Sequence, residues 1–218
     1  MYLAINSRPD ILYAIIALSR QNKDPSYLAC KAAVHVLTYL ASTLERGLIF
    51  PKRSNEGLVV YSDADWAGDN DTSKSTSGYI VYLWGAPIAW QSRLQPTVAT
   101  SSVESEYMAA YAATQEVIWV RGFLSELGFE EFNLSTQQSP TTLWMDSKSA
   151  INMAENPVQH KRTKHIRVKY HWLREQVNAA VIKMKYIPTK EMKADILTKG
   201  LDASLYTQHL NGLTSIVH

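Results

Sequence analysis

Four acidic residues stand where a chain seldom places acid. Asp63 lies near the end of the apolar run LVVYSDADW (58–66), and Glu106 falls on the apolar side of a helical pattern. Asp146 ends the short run TTLWM, and Asp195 sits between Met192 and Ile196 in KEMKADILTKG. A carboxylate held against apolar surface needs compensation. Four of them converging without a counter-charge would repel, or some would take up protons. Divalent cations remove that conflict, and an oxygen-only donor set suits Mg²⁺ or Mn²⁺. Zinc fits poorly: Cys30 is the single cysteine, and His160, His165 and His171 lack the i, i+4 spacing of a helical zinc site. Two hard ions about 3.5–4 Å apart activate water and stabilise the leaving oxygen of a phosphodiester. The chemistry indicated is hydrolysis of nucleic acid.

The elements that must carry these acids can be read from periodicity. In 58–66, Val59, Tyr61, Asp63 and Asp65 share one face and Leu58, Val60, Ser62, Ala64 and Trp66 the other. Large apolar groups on both faces predict a central strand covered on both sides. Period 2 alone leaves Asp63 and Asp65 equivalent. The turn-rich stretch 67–78 reads as irregular, and 79–83 and 87–91 as two strands around Trp84, Gly85 and Ala86, which completes an antiparallel meander. A long helix follows from about Ser102 to Leu127, with the stripe Ala110, Ala113, Val117, Val120 and Leu124. Extended backwards, that stripe lands on Glu106, whereas Glu104 lies roughly 200° round the helix and is expected to face solvent. Residues 141–145 read as a strand ending in Asp146, SKSAINMAEN as a short helix stopped by Pro157, 181–187 as a last strand, and 190–200 as a helix burying Met192, Asp195 and Ile196.

A further helix buries Ile166, Tyr170, Leu173, Val177 and Ala180. Beside that stripe run Lys164, Arg167, His171 and Arg174, preceded by His160, Lys161 and Arg162, with no acid between Gln159 and Arg174. A one-signed stripe of this kind suits phosphate contacts as well as a solvated face. The rest of the composition is bland. The 218 residues are 46% hydrophobic with a formal net charge of +2, so any basic surface is local. One cysteine excludes an intramolecular disulfide, and Cys30, inside a helical pattern, is expected in the core. No apolar run approaches a membrane span and the first residues lack a signal-peptide layout, so an intracellular protein is expected. Residues 1–50 read as two helices: one begins near Pro9, and the other begins at Asp24–Pro25, buries Ala29, Ala33, Val36 and Leu40, and stops at Gly47.

Five ordered motifs carry a resemblance. YSDADWAGDNDTSKSTSGY, QSRLQPTVATSSVESEYMA, WMDSKSA, RTKHIRVKYHWLRE and KADILTKG resemble the ribonuclease H domain of copia-type retrotransposon Pol polyproteins. RPDILYAIIALSR and AAVHVLTYL are similar to the end of the reverse transcriptase that precedes it, without the polymerase's catalytic motif. The resemblance implies an α/β ribonuclease H-like fold: a five-stranded mixed sheet, antiparallel meander plus parallel strands, flanked by helices. It divides the chain into a helical extension (1–50), a linker (51–57), the nuclease domain (58–201) and a tail (202–218). It maps the catalytic, metal-holding acids onto Asp63, Glu106, Asp146 and Asp195, and gives Asp65 no catalytic part.

The implied activity is metal-dependent cleavage of the RNA strand of RNA–DNA hybrids during reverse transcription, with two Mg²⁺ or Mn²⁺ ions. The implied partners are the hybrid and the reverse transcriptase of the same polyprotein, in a cytoplasmic virus-like particle or the nucleus. Lys161, Arg162, Lys164, Arg167, His171 and Arg174 are the expected nucleic-acid contacts. Cellular ribonucleases H carry a mobile His shortly before the last Asp, but YIPTKEMKAD has none. A catalytically silent hybrid-binding or Pol-interaction module is the first alternative. An integrase-like strand-transfer enzyme is the second, although the acids after Asp146 (Glu155, Glu175, Glu191, Asp195) lack its spacing of about thirty-five residues.

Overall fold

The computed structural model describes residues 1–52, 56–129, 132, 140–155 and 164–216, those at 164–167 and 216 by their backbone. In chain order the elements are α1 (Tyr2–Asn6), a 3₁₀ turn (Pro9–Ile11), α2 (Leu12–Ser19), α3 (Tyr27–Ser42), β1 (Arg46–Leu48), β2 (Leu58–Asp65), β3 (Thr76–Leu83) and β4 (Ala86–Leu94). There follow α4 (Ser102–Glu126), β5 (Thr141–Met145), α5 (Lys148–Glu155), α6 (Lys164–Asn178), β6 (Ile182–Tyr186), two 3₁₀ segments (Thr189–Glu191 and Lys193–Leu197), α7 (Ala203–Asn211) and β7 (Thr214–Ile216).

The five-stranded mixed sheet runs β4-β3-β2-β5-β6, with the first three strands antiparallel and β5 and β6 parallel to β2. The β3–β4 hairpin turns on Trp84 and Gly85, both at positive φ (49° and 78°), the backbone of a two-residue turn whose twist matches the flanking strands. As the period-2 pattern requires, β2 is covered on both sides. Leu58 and Val60 join a core built with α4, α5 and α6. Tyr61, together with Ile80 and Tyr82 of β3, joins a second core with Ile11, Leu12, Val36, Met192, Ile196, Leu197, Leu210 and Leu213. The segments before and after the sheet therefore cover one face together. Arg8, Asp10 and Tyr39 form a knot there: Arg8 Nη2 lies 2.8 Å from Asp10 Oδ2, and the Tyr39 hydroxyl donates to the same carboxylate. Among the described residues no helix is long and apolar enough to cross a membrane.

Several local expectations are corrected. The second N-terminal helix is capped by Ser26, whose hydroxyl accepts from the Ala29 amide, rather than by Asp24. It ends at Ser42, and Gly47 lies in β1, drawn into an antiparallel ribbon with β7 (Gly47 opposite Ser215). Cys30 is exposed, because α3 fully buries only Ala29 and Val36 and turns its Cys30 side outward. The strand after the irregular stretch begins earlier than expected, at Thr76. Residues 190–200 form two 3₁₀ segments instead of a helix. Met192, Ala194, Asp195, Ile196 and Leu197 are all buried, which leaves no solvated face for an amphipathic helix. Ala180, expected on the buried stripe of α6, follows the helix at φ 53° as a left-handed terminator.

Candidate active site

Strand pairing places two of the four acids. β2 and β5 run parallel, with Val59 beside Thr142 and Tyr61 beside Trp144. Continued by two residues, that register brings Asp146 alongside Asp63, and neighbouring strands lie about 4.8 Å apart. On the other side of Asp63, β3 presents Gly78. The third acid comes from α4, which packs against β2 and β3. One carboxylate oxygen each from Asp63, Glu106 and Asp146 lie within 4.8 Å of one another.

The start of α4 is fixed by buried polar contacts. Ser101 caps it, accepting from the Glu104 amide at 3.2 Å, while Glu104 reaches back to accept from the Thr100 amide at 2.8 Å. Glu104 is therefore buried rather than solvent-facing. The angular argument fails in the first turn, where an acid three residues after the cap reaches back over the helix start, here to the Thr100 amide and hydroxyl. The buried Gln95 amide donates to Ser77 Oγ of β3 and to the Ser105 carbonyl, so strand and helix meet one residue before Glu106. Glu106 Oε1 accepts from the Ala64 amide at 3.4 Å, and its Oε2 is buried with no hydrogen-bond partner among the described residues.

Asp195 lies outside the group of three but adjoins Asp63, and two neighbours reinforce the pairing. The Thr198 hydroxyl donates to Asp63 Oδ2. Lys199 Nζ lies 3.1 Å from Asp195 Oδ2 and 3.6 Å from Asp63 Oδ2. On the far side, the Thr189 hydroxyl donates to Asp146 Oδ2 at 2.7 Å. None of these three residues was singled out from the sequence. Lys199 had a signal, since it stands four residues after Asp195 in the i, i+4 acid–base relation. Thr189 and Thr198 had none.

The electrostatics are those of an under-compensated acid cluster. Burial first, then the charges of Asp63 and Asp146, hold the Glu106 carboxyl well above its usual range. Burial and then Asp63 push Asp195 up to about 8, against the opposing pull of Lys199. Burial works against the Lys199 charge, yet Asp63 and Asp195 outweigh it and its pKa is raised. Asp65 is half-buried and its pKa is raised, chiefly by burial. It is not among the three clustered acids.

The donor set fits hard divalent cations. It consists of carboxylate oxygens, and Glu106 Oε2 and Asp195 Oδ1 are buried with no hydrogen-bond donor among the described residues. Of the expected nucleic-acid contacts, Lys161 and Arg162 lie outside the described residues, as do the side chains of Lys164 and Arg167. His171 is exposed on α6. Arg174 is half-buried, its Nη2 donating to the Met153 carbonyl at 3.2 Å, so it fastens α6 to α5.

No protein-family profile matches the chain. Over 199 residues, 91% of the chain, it is 42% identical to the retrovirus-related Pol polyprotein from transposon TNT 1-94 of Nicotiana tabacum, of which it spans 14%. Over 205 residues, 94% of the chain, it is 38% identical to the Pol polyprotein from transposon RE1 of Arabidopsis thaliana, again spanning 14%. Among solved structures, LC11-RNase H1 in complex with an RNA/DNA hybrid aligns with a TM-score of 0.46 at 14% identity, covering 65% of this chain and 93% of that one.

Proposed function

Since the chain belongs to the copia-type retrotransposon Pol polyproteins, as a segment spanning 14% of their length, we propose that it is their ribonuclease H, cutting the RNA strand of RNA–DNA hybrids. One observation carries the reading. Asp63, Glu106 and Asp146, distant along the chain, bring carboxylate oxygens within 4.8 Å of one another at the ends of two adjacent parallel strands. A cluster of like charges at that spacing is costly unless cations share it.

Asp63, Glu106, Asp146 and Asp195 would hold two Mg²⁺ or Mn²⁺ ions. Such ions supply Lewis acidity at the scissile phosphate and a water nucleophile at neutral pH. Hydrolysis would join water oxygen to phosphorus and break the P–O3′ bond, a proton of the water ending on O3′, which leaves 3′-hydroxyl and 5′-phosphate ends. The chain's own part is positional. Thr198 and Thr189 each donate to one carboxylate, Asp63 and Asp146, and fix which oxygens remain free. The capped start of α4 and the Gln95 strut set the height of Glu106. Lys161, Arg162, Lys164, Arg167 and His171 would hold phosphates of the duplex, with RNA recognised through 2′-hydroxyls and A-like groove shape. The reverse transcriptase of the same polyprotein is the proposed partner of residues 1–50.

Labelled RNA–DNA hybrid incubated with Mg²⁺, Mn²⁺ or EDTA tests the reading. Cleavage of the RNA strand with either ion and none with EDTA is expected. Asp146→Asn should remove that cleavage while the circular dichroism spectrum stays unchanged. Full activity in Asp146→Asn would refute the assignment of the site, and a wild type that cleaves with neither ion would leave the binding-module alternative.

A further inference from the structure

Lys199 is a cation in a site whose acids call for cations. Its ammonium lies between Asp195 at 3.1 Å and Asp63 at 3.6 Å. Asp195 adjoins Asp63 without belonging to the group of three, and the ammonium contacts both carboxyl groups. Thr198, next in sequence, donates to the same Asp63 oxygen that Lys199 approaches. The side chain is not sealed in, because 31% of it remains exposed, and a four-carbon stem lets the charge swing outward without moving the backbone. A lysine needed only as a structural ion pair could pair with either carboxylate alone. This one contacts both, and among the described residues no other cation forms an ion pair with either.

We propose that Lys199 is a tethered placeholder for one of the divalent ions. It holds Asp63 and Asp195 together while the site lacks ions, and it must be displaced before an ion can take both carboxylates. The proposal rests on the reading of the four acids as ion ligands. Two effects then oppose each other. The ammonium ties the two carboxyl groups to one cation in the ion-free fold, and it weakens ion binding by occupying ligand oxygens and by adding like charge nearby.

Calorimetric titration with Mn²⁺ and Mg²⁺ and thermal unfolding in EDTA test this on the full chain, comparing wild type with Lys199→Met and Lys199→Arg. Lys199→Met should reach half-saturation at roughly tenfold lower ion concentration and unfold at lower temperature in EDTA. Lys199→Arg, which keeps the charge, should show no gain in ion affinity. Equal or weaker ion binding by Lys199→Met overturns the proposal while the reading of the acids stands. A wild type that binds neither ion overturns that reading itself. Nuclear magnetic resonance of the wild-type lysine side chains gives a second measurement that needs no variant to fold. The Lys199 Cε and Nζ signals should move toward those of a free lysine as Mg²⁺ saturates, and signals that stay in place overturn the proposal.

Discussion

Gly78 stands directly opposite Asp63 across the β2–β3 ladder, and its missing side chain is what lets the last acid reach the first. A Cβ there would lie 2.7 Å from Thr198 Cγ2 and 2.9 Å from Leu197 Cβ. Both neighbours belong to the stretch that carries Asp195, Thr198 and Lys199. Gly78→Ala therefore forces that stretch off the sheet, at a cost of about 1–3 kcal/mol. It should also cut hybrid cleavage by more than the lost stability explains, because the Thr198 contact to Asp63 goes with it. Urea unfolding and cleavage rate, measured on the same preparation, separate the two effects. A variant as active as wild type would show that the close approach is dispensable.

Removing ions should make the stability of this protein depend on pH in an unusual direction. Asp195 has an ordinary carboxyl pKa near 3.8 when unfolded and about 8 when folded, raised first by burial and then by Asp63. Between those values the folded chain keeps a proton that the unfolded chain has released, so stability falls as pH rises and levels off above about 8. Glu106 is shifted in the same direction. In EDTA the urea midpoint should decline from pH 5 to pH 8, and Asp195→Asn should flatten part of that decline. Saturating Mg²⁺ should oppose it, since ions bind the deprotonated acids of the folded state alone. A midpoint that rises with pH in EDTA contradicts the burial of these carboxyls.

The cap of α4 should matter to catalysis although no residue of it enters the chemistry. Ser101→Ala removes the acceptor of the Glu104 amide, and Glu104→Ala removes the acceptor of the Thr100 amide just before the helix. The expected loss is about 1 kcal/mol of stability each. Glu106 sits two residues beyond, so fraying of that turn should also lower activity several-fold. Hydrogen exchange over residues 102–107 should speed up in both variants. Unchanged exchange with reduced activity would point to some other role for Glu104.

What could be read in advance follows from how local each signal is. Glu106 was legible because a 25-residue helix repeats its stripe often enough to be extended backwards. Asp146 was legible as a strand end, and its partnership with Asp63 is set by the parallel register. Periodicity could not separate Asp63 from Asp65, which share a strand face; only the motif resemblance did. Glu104 was misplaced by a wheel argument although Ser101-x-x-Glu104 is a capping-box pattern readable in the sequence. The 190–200 stretch was read correctly for burial and wrongly for helix type, because the unbroken buried run from Ala194 to Thr198 erases the period. Residues 202–218 carried no legible signal at all. β7 pairs with β1 across some 170 residues of chain, and a three-residue strand has too few positions for any period to show.

That silent tail should nonetheless be needed for folding. Leu210, Leu213 and Thr214 are buried against the outer face of the sheet. The Tyr206 hydroxyl donates to the Asp10 carbonyl, and Arg46 donates to Thr214 at 3.2 Å. These contacts close a layer that also contains Ile11, Leu12 and Val36, and they lie over Tyr61, two residues before Asp63 on the same strand face. A chain ending at Leu201 would expose the sheet side of that layer and leave the β1 edge unpaired. It should lose cooperative unfolding or drop its midpoint by far more than a surface truncation does, and it should bind a hydrophobic dye. A milder version replaces Leu213 with Ala, costing about 2–5 kcal/mol by leaving a cavity in a fully buried position. If the truncated chain unfolds with the wild-type midpoint and cleaves hybrid normally, the terminal layer is an appendage and the nuclease core stands without it.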